Sequence, residues 1–153
     1  MKKSIVFVLL LCLTMAFVSS VASADPAPPL SDVKIRAFKA ENYDDKWKHT
    51  PPSYPKNMSA YSFSGPALDM SVIYTGYPDW TLTFIKIGGS RYTHRELLYE
   101  LRYIYSGGIV TGCEVYYRIP AAKLNASNTI SVTSMGSNGG SADDVSTNIR
   151  FVK

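Results

Sequence analysis

Side-chain polarity alternates with period two over much of this chain, most strictly towards its C-terminal end. From Cys113 to Ile119, the apolar Cys113, Val115, Tyr117 and Ile119 share one parity, and Glu114, Tyr116 and Arg118 the other. Farther on, Ile130 and Val132 alternate with Thr129, Ser131 and Thr133. Successive side chains of a strand point to opposite sides, so both runs predict half-buried strands. Pro120 has no N–H for a ladder and predicts the end of the first.

The same pattern recurs upstream. Leu68, Met70, Val72 and Tyr74 alternate with Asp69, Ser71 and Ile73, and Tyr61 and Phe63 alternate with small polar residues over Ser59 to Ser64. Val33 and Ile35 share a parity that Phe38 breaks, which predicts a bulge or a change of face within a strand over Val33 to Ala40. Trp80 to Ile87 is expected to form one continuous central strand ended by Gly88-Gly89, and Val145 to Lys153 a closing strand. Tyr92 to Tyr105 supports two readings. Thr93-His94-Arg95-Glu96 fits a helix capping box, with Leu97, Leu98, Leu101, Ile104 and Tyr105 then on one helical face. Tyr99, Leu101, Tyr103 and Tyr105 also alternate as a strand would, with Ser106-Gly107-Gly108 as a hairpin turn. The helix is the preferred expectation.

Short strands separated by turn residues every ~8–12 positions are the mark of a sandwich or barrel. The pattern predicts a mainly β, single-domain antiparallel β-sandwich, immunoglobulin-like or related, over residues 32–153, with one short helix within 93–105.

The N-terminus changes the picture. Lys2 and Lys3 precede an apolar run from Ile5 to Val18, and Ala22-Ser23-Ala24 follows. This is the layout of a secretory signal peptide cleaved after Ala24. The run is shorter than the ~20 residues a membrane span needs. Residues 1–24 are therefore expected to be removed and residues 25–31, rich in proline, to form a flexible leader. The mature protein is expected to be secreted or periplasmic, with no membrane insertion after cleavage. Loss of Lys2 and Lys3 from 16 basic residues, set against 12 acidic ones, brings the balance nearer neutrality than the +4 of the whole chain. That argues against nucleic acid as a partner. Cys12 leaves with the signal, so Cys113 has no cysteine to pair with and is expected to be buried.

The search for reaction chemistry yields little. His49 and His94 lie far apart in sequence, Cys113 has no neighbour at metal-binding spacing, and no metal or other cofactor is expected. Asp143-Asp144, beside Asn138-Gly139-Gly140, and Asp44-Asp45 offer oxygen ligands of the kind calcium takes, but solvated acidic turns are the simpler expectation. There is no G-x-S-x-G elbow and no glycine-rich phosphate loop, and no catalytic residue is assigned.

What remains is aromatic wealth. Glu41 to Asn57 loses all alternation and carries Tyr43, Trp47 and Tyr54 among prolines and charges. Long loops of this kind commonly carry binding residues. Tyr43, Trp47 and Tyr54, joined by Tyr77 and Trp80 if the loop folds over the Gly76–Asp79 turn, point to a non-catalytic binding module, and Tyr116, on the outward parity of its strand, is expected to lie outside the core. An extracellular glycan or protein is the expected partner. A small secreted hydrolase or toxin, pairing scattered carboxylates with a histidine, is the alternative. A structural, edge-pairing protein is a third reading, and the oligomeric state stays open.

Pro29-Leu30-Ser31-Asp32-Val33-Lys34-Ile35, followed by Glu41-Asn42, resembles the opening of the YolA-like secreted bacterial proteins. The resemblance implies an exported single domain and transfers no functional residue.

Overall fold

The structure, a computed structural model, describes residues 27–44 and 46–153. The expected signal peptide at 1–24 and Asp45 lie outside the described residues.

Two sheets enclose the core. The first has five strands: β1 (Asp32–Lys39), β2 (Lys48–His49), β5 (Ala67–Thr75), β8 (Leu98–Ser106) and β9 (Ile109–Pro120), in the order β2-β1-β5-β9-β8. Every neighbouring pair in it is antiparallel. The second is built on β6 (Phe84–Ile87), β7 (Ser90–Thr93), β10 (Ser127–Met135) and β11 (Ser141–Val152). Two short strands, β3 (Lys56–Asn57) and β4 (Ser62–Ser64), run parallel to β11. The expected sandwich is the observed architecture.

The core follows the parities of the sequence. Met70, Val72 and Tyr74 from β5 and Val115, Tyr117 and Ile119 from β9 are fully buried, as are Ile85, Ile130, Val132 and Ile149 from the second sheet. In β1 the register against β5 slips between Ile35 and Ala37. The extra residue, Arg36, lets Val33, Ile35 and Phe38 all point inward despite their mixed parity. Polar groups near the bulge are matched across the sheets. Lys56 pairs with Asp144 and donates to the Ile35 carbonyl at 3.0 Å, while the Ile35 amide donates to Asp144 Oδ2 at 2.7 Å.

Trp80 to Ile87 is not one strand. Trp80–Leu82 is a 3-10 turn, and the strand starts at Phe84. Local hydrogen bonds decide this: Asp79 Oδ1 accepts from the Thr81 amide at 2.8 Å and its hydroxyl at 2.6 Å, and the Thr83 hydroxyl donates to the Asp79 carbonyl at 2.8 Å. The inward parity is consequently that of Thr83, Ile85 and Ile87, while Leu82 is exposed.

The helix expected within 93–105 is a single turn, α1 (His94–Leu97), and the remainder is strand. The capping box forms, with the Glu96 carboxylate accepting from the Thr93 amide at 2.6 Å and its hydroxyl at 2.8 Å. Beyond Leu97 a helical face has nothing to pack on, whereas β9 offers a strand to pair with. Leu97 is buried, but Leu98, Ile104 and Tyr105 are exposed. Gly107 and Gly108, at φ 57° and 82°, close the β8–β9 hairpin in the left-handed backbone region that a two-residue turn of this hand requires.

Asp143 and Asp144 lie within β11 rather than in a loop. The Asp143 carboxylate accepts from the Tyr54 hydroxyl at 3.2 Å, and Asp144 is taken by Lys56. The described part of the leader is held down. The Leu30 amide donates to the Gly139 carbonyl at 3.1 Å, and a Cβ at Gly140 would stand 1.9 Å from the Leu30 carbonyl oxygen. No described helix is long and apolar enough to cross a membrane.

Candidate functional site on the outer face of the five-stranded sheet

The outward parities of β5 and β9 are polar, and the register stacks them in rows. Asp69 lies opposite Arg118, Ser71 opposite Tyr116 and Ile73 opposite Glu114. The bulge in β1 brings Arg36 to the same face, and the segment entering β2 lays Trp47 across it. Trp47 and Tyr116 meet with ring centroids 5.6 Å apart at 51°. Lys39 Nζ stands 5.4 Å from the Trp47 ring, and the Arg102 guanidinium 4.9 Å from that of Tyr116. Beside the rings, Arg36, Trp47, His49, Glu114 and Tyr116 surround a depression of about 270 Å³ whose floor includes Ala37 and Ser71, both buried.

Hydrogen bonds fix the polar groups of this depression. Glu114 Oε1 accepts from the Ser71 hydroxyl at 2.6 Å and from Arg36 Nη1 at 3.3 Å. Burial raises the Glu114 carboxyl, but the Ser71 and Tyr116 hydroxyls and the Arg36 guanidinium outweigh it and hold the group below its usual range. Burial, followed by the neighbouring Glu114 carboxylate, pushes the Tyr116 phenol up. At neutral pH the face therefore presents a carboxylate, a guanidinium and a neutral phenol.

One step along the same strands, Arg118 clasps Asp69 with bonds of 2.8 and 2.9 Å and stacks 3.9 Å above the Tyr99 ring. A wider hollow of about 510 Å³ opens there, lined by Lys39, Glu41, Pro66, Asp69, Arg118 and Pro120. The two depressions and the aromatic pair make one face with rigid polar groups, suited to a flat, hydroxyl-bearing ligand.

Of the aromatic residues singled out in the sequence, this face holds Trp47. Tyr43 turns the other way and packs on Phe63 at 5.4 Å and Tyr61 at 6.3 Å, joining the edge of the core. Tyr54 is 66% exposed beside β11, where its bond to Asp143 raises the phenol. Tyr77 and Trp80 line a small cleft of about 40 Å³ with Tyr103 and Cys113. Trp80 also lies flat against His94, 4.1 Å between centroids. Tyr116 is the one outward tyrosine that strand parity identified and the face uses. Glu114, Ser71, Asp69 and Arg118 share that outward parity, which is the signal that marks them; Arg36 reaches the face only through the bulge.

The His94 ring is buried, its Nδ1 3.0 Å from the Tyr117 hydroxyl, which lies 2.7 Å from that of Tyr74. Burial, with the Arg95 charge adding to it, pushes the imidazole down to about 4. Cys113 is buried as expected, and burial pushes its thiol up to about 12, which leaves it protonated and unreactive at neutral pH. Among the described residues no group of three or more His, Cys, Asp or Glu side chains is placed to hold a metal ion.

Neither the curated proteins nor the solved structures contain a match to this chain. A family model does match, over residues 25–151, and so covers all but the last residue of the sandwich and the leader before it. On that match the chain belongs to the family described as domain of unknown function DUF4879.

Proposed function

We propose that this protein is an exported binding module that holds an extracellular glycan on the Trp47–Tyr116 face. The observation that carries the reading is the aromatic pair itself, two rings 5.6 Å apart beside the fixed Glu114 carboxylate and Arg36 guanidinium. Sugar rings present C–H faces that stack on aromatic side chains and hydroxyls that bond to carboxylates and guanidinium groups. Trp47 is absent from the core cluster, whereas Tyr43 and Trp80 pack against it. A side chain outside the core is free to serve a ligand.

Export is the second part of the reading. It rests on the signal-like layout of residues 1–24, on the family match opening at residue 25, and on the likeness of residues 29–42 to the YolA-like secreted bacterial proteins. Cleavage after Ala24 would deliver the face to the outside of a bacterial cell.

The test uses the fluorescence of the two tryptophans. In a Trp80→Phe background, Trp47 is the sole tryptophan and its emission should shift when soluble cell-wall or exopolysaccharide fragments are added. Trp47→Ala and Tyr116→Ala should each weaken binding by at least about 30-fold, the loss expected for a central contact of about 2 kcal/mol. Full affinity in both variants, with circular dichroism unchanged, would remove the face from the mechanism.

A further inference from the structure

The β8 edge of the five-stranded sheet is open along its length. Its sole strand partner is β9, and no other described strand lies beside it. It is nine residues long, and with the start of β9 it displays Leu98, Tyr99, Tyr103, Ile104, Tyr105 and Ile109, each between 38% and 62% exposed. Edges of this length are usually shortened, bulged throughout, or lined with like charges that repel another strand. Here the pairing slips at Tyr99 and again between Ile104 and Tyr105, and is regular from Glu100 to Ile104.

The order of residues along this edge is symmetric. Read outward from Leu101, the steps in the two directions are Glu100 and Arg102, then Tyr99 and Tyr103, then Leu98 and Ile104. Antiparallel pairing with an identical strand about an axis at Leu101 therefore sets Glu100 and Arg102, both on the outer face with their β9 partners Tyr116 and Glu114, against their charge counterparts. Glu100 meets the partner's Arg102, and Arg102 meets the partner's Glu100. The bulge at Tyr99 ends the match there: Tyr99 lies on the outer face against Arg118 and Leu98 on the inner, whereas Tyr103 faces inward beside Cys113 and Ile104 outward. Directly opposite pairs are the stabilising unit of an antiparallel sheet, with opposite charges and aromatic pairs favourable and like charges unfavourable. A shift of the register by two residues breaks the charge match.

We propose that two copies of this chain associate edge to edge through β8, with a two-fold axis at Leu101, into one continuous ten-stranded sheet. The occupant of this edge is a second copy because the edge is complementary to itself. Glu100 and Arg102, already 2.6 Å apart within one chain, become the four-charge centre of the interface. The axis stands perpendicular to the sheet, so the outer faces of both copies, Trp47 and Tyr116 included, look the same way.

Sedimentation velocity of the purified protein over a range of concentrations tests this. The wild type should show a reversible monomer–dimer equilibrium. Glu100→Arg and Arg102→Glu should each raise the dissociation constant at least tenfold, because symmetry places every like-charge clash twice. An equimolar mixture of these two variants should dimerise again, since one copy then brings two cations and the other two carboxylates. Both side chains are exposed, so circular dichroism should be unchanged in each variant. A wild type that stays monomeric at every concentration, a dimer indifferent to both substitutions, or a mixture that fails to recover would overturn the proposal.

Discussion

Lys56→Met tests whether the buried Lys56–Asp144 pair ties the two sheets together. Both side chains are almost wholly buried, at 9% and 5% exposure. Removal of the ammonium leaves Asp144 charged in the interior with two backbone donors, the amides of Ile35 at 2.7 Å and Val145 at 2.9 Å. The Ile35 carbonyl keeps the Thr50 hydroxyl at 2.7 Å and so remains satisfied. The cost is thus that of one uncompensated carboxylate, at the lower end of the range for broken buried pairs, about 3 kcal/mol. For a domain of this size that corresponds to a fall in Tm on the order of 10 °C. Asp144→Asn should cost a similar amount by stranding the ammonium, while its amide oxygen can still accept from Ile35. The double variant buries no charge, so its loss should fall short of the sum of the singles by about 2 kcal/mol. Urea denaturation of the four proteins closes the cycle. A Lys56→Met loss under 1 kcal/mol, or additive losses, would show that the pair is not the tie described here.

Two further outcomes are expected. The His94 imidazole, held down at about 4 against roughly 6.5 when unfolded, stays neutral in the fold over a window where the unfolded chain takes up a proton. Stability should therefore fall as pH drops from about 6.5 to 4, by up to about 3 kcal/mol, and His94→Gln should flatten that slope in denaturation curves; an equally steep variant would assign the slope to other groups. Expressed in a bacterium with its own leader, the protein should be recovered outside the cytoplasm beginning at Asp25, as read by N-terminal sequencing. Retention of Met1 would refute the export reading.

The parts of the fold legible in the sequence were those where one face is buried. Over β5, β9, β10 and β11, alternation marked which side chains point inward, because burial imposes it. The out-of-step Phe38 betrayed the β1 bulge for the same reason. Trp80–Leu82 misled because its alternation is real while its backbone answers to Asp79, Thr81 and Thr83 hydrogen bonding locally. In the stretch after Thr93, capping chemistry read the first turn correctly, but the choice between helix and strand beyond it belonged to β9. The proposed binding face was half legible. Trp47 and Tyr116 stood out singly, but their meeting needs the β1–β2 and β5–β9 registers, which no local pattern encodes. Closeness in one loop was a poor guide, for Tyr43 and Trp47, only four positions apart, end on opposite sides of a sheet.

The slip in β1 lets chain spacing alter the outer face of the sheet without disturbing the core. Delete Arg36, and Ile35, Ala37 and Phe38 become consecutive partners of Val72, Ser71 and Met70, an unslipped register that keeps the aromatic ring in the interior. The same deletion would strip Glu114 of its cation. A single-codon loss there would spare the interior and remove a cation from the proposed binding face, as most substitutions of the Arg36 side chain would.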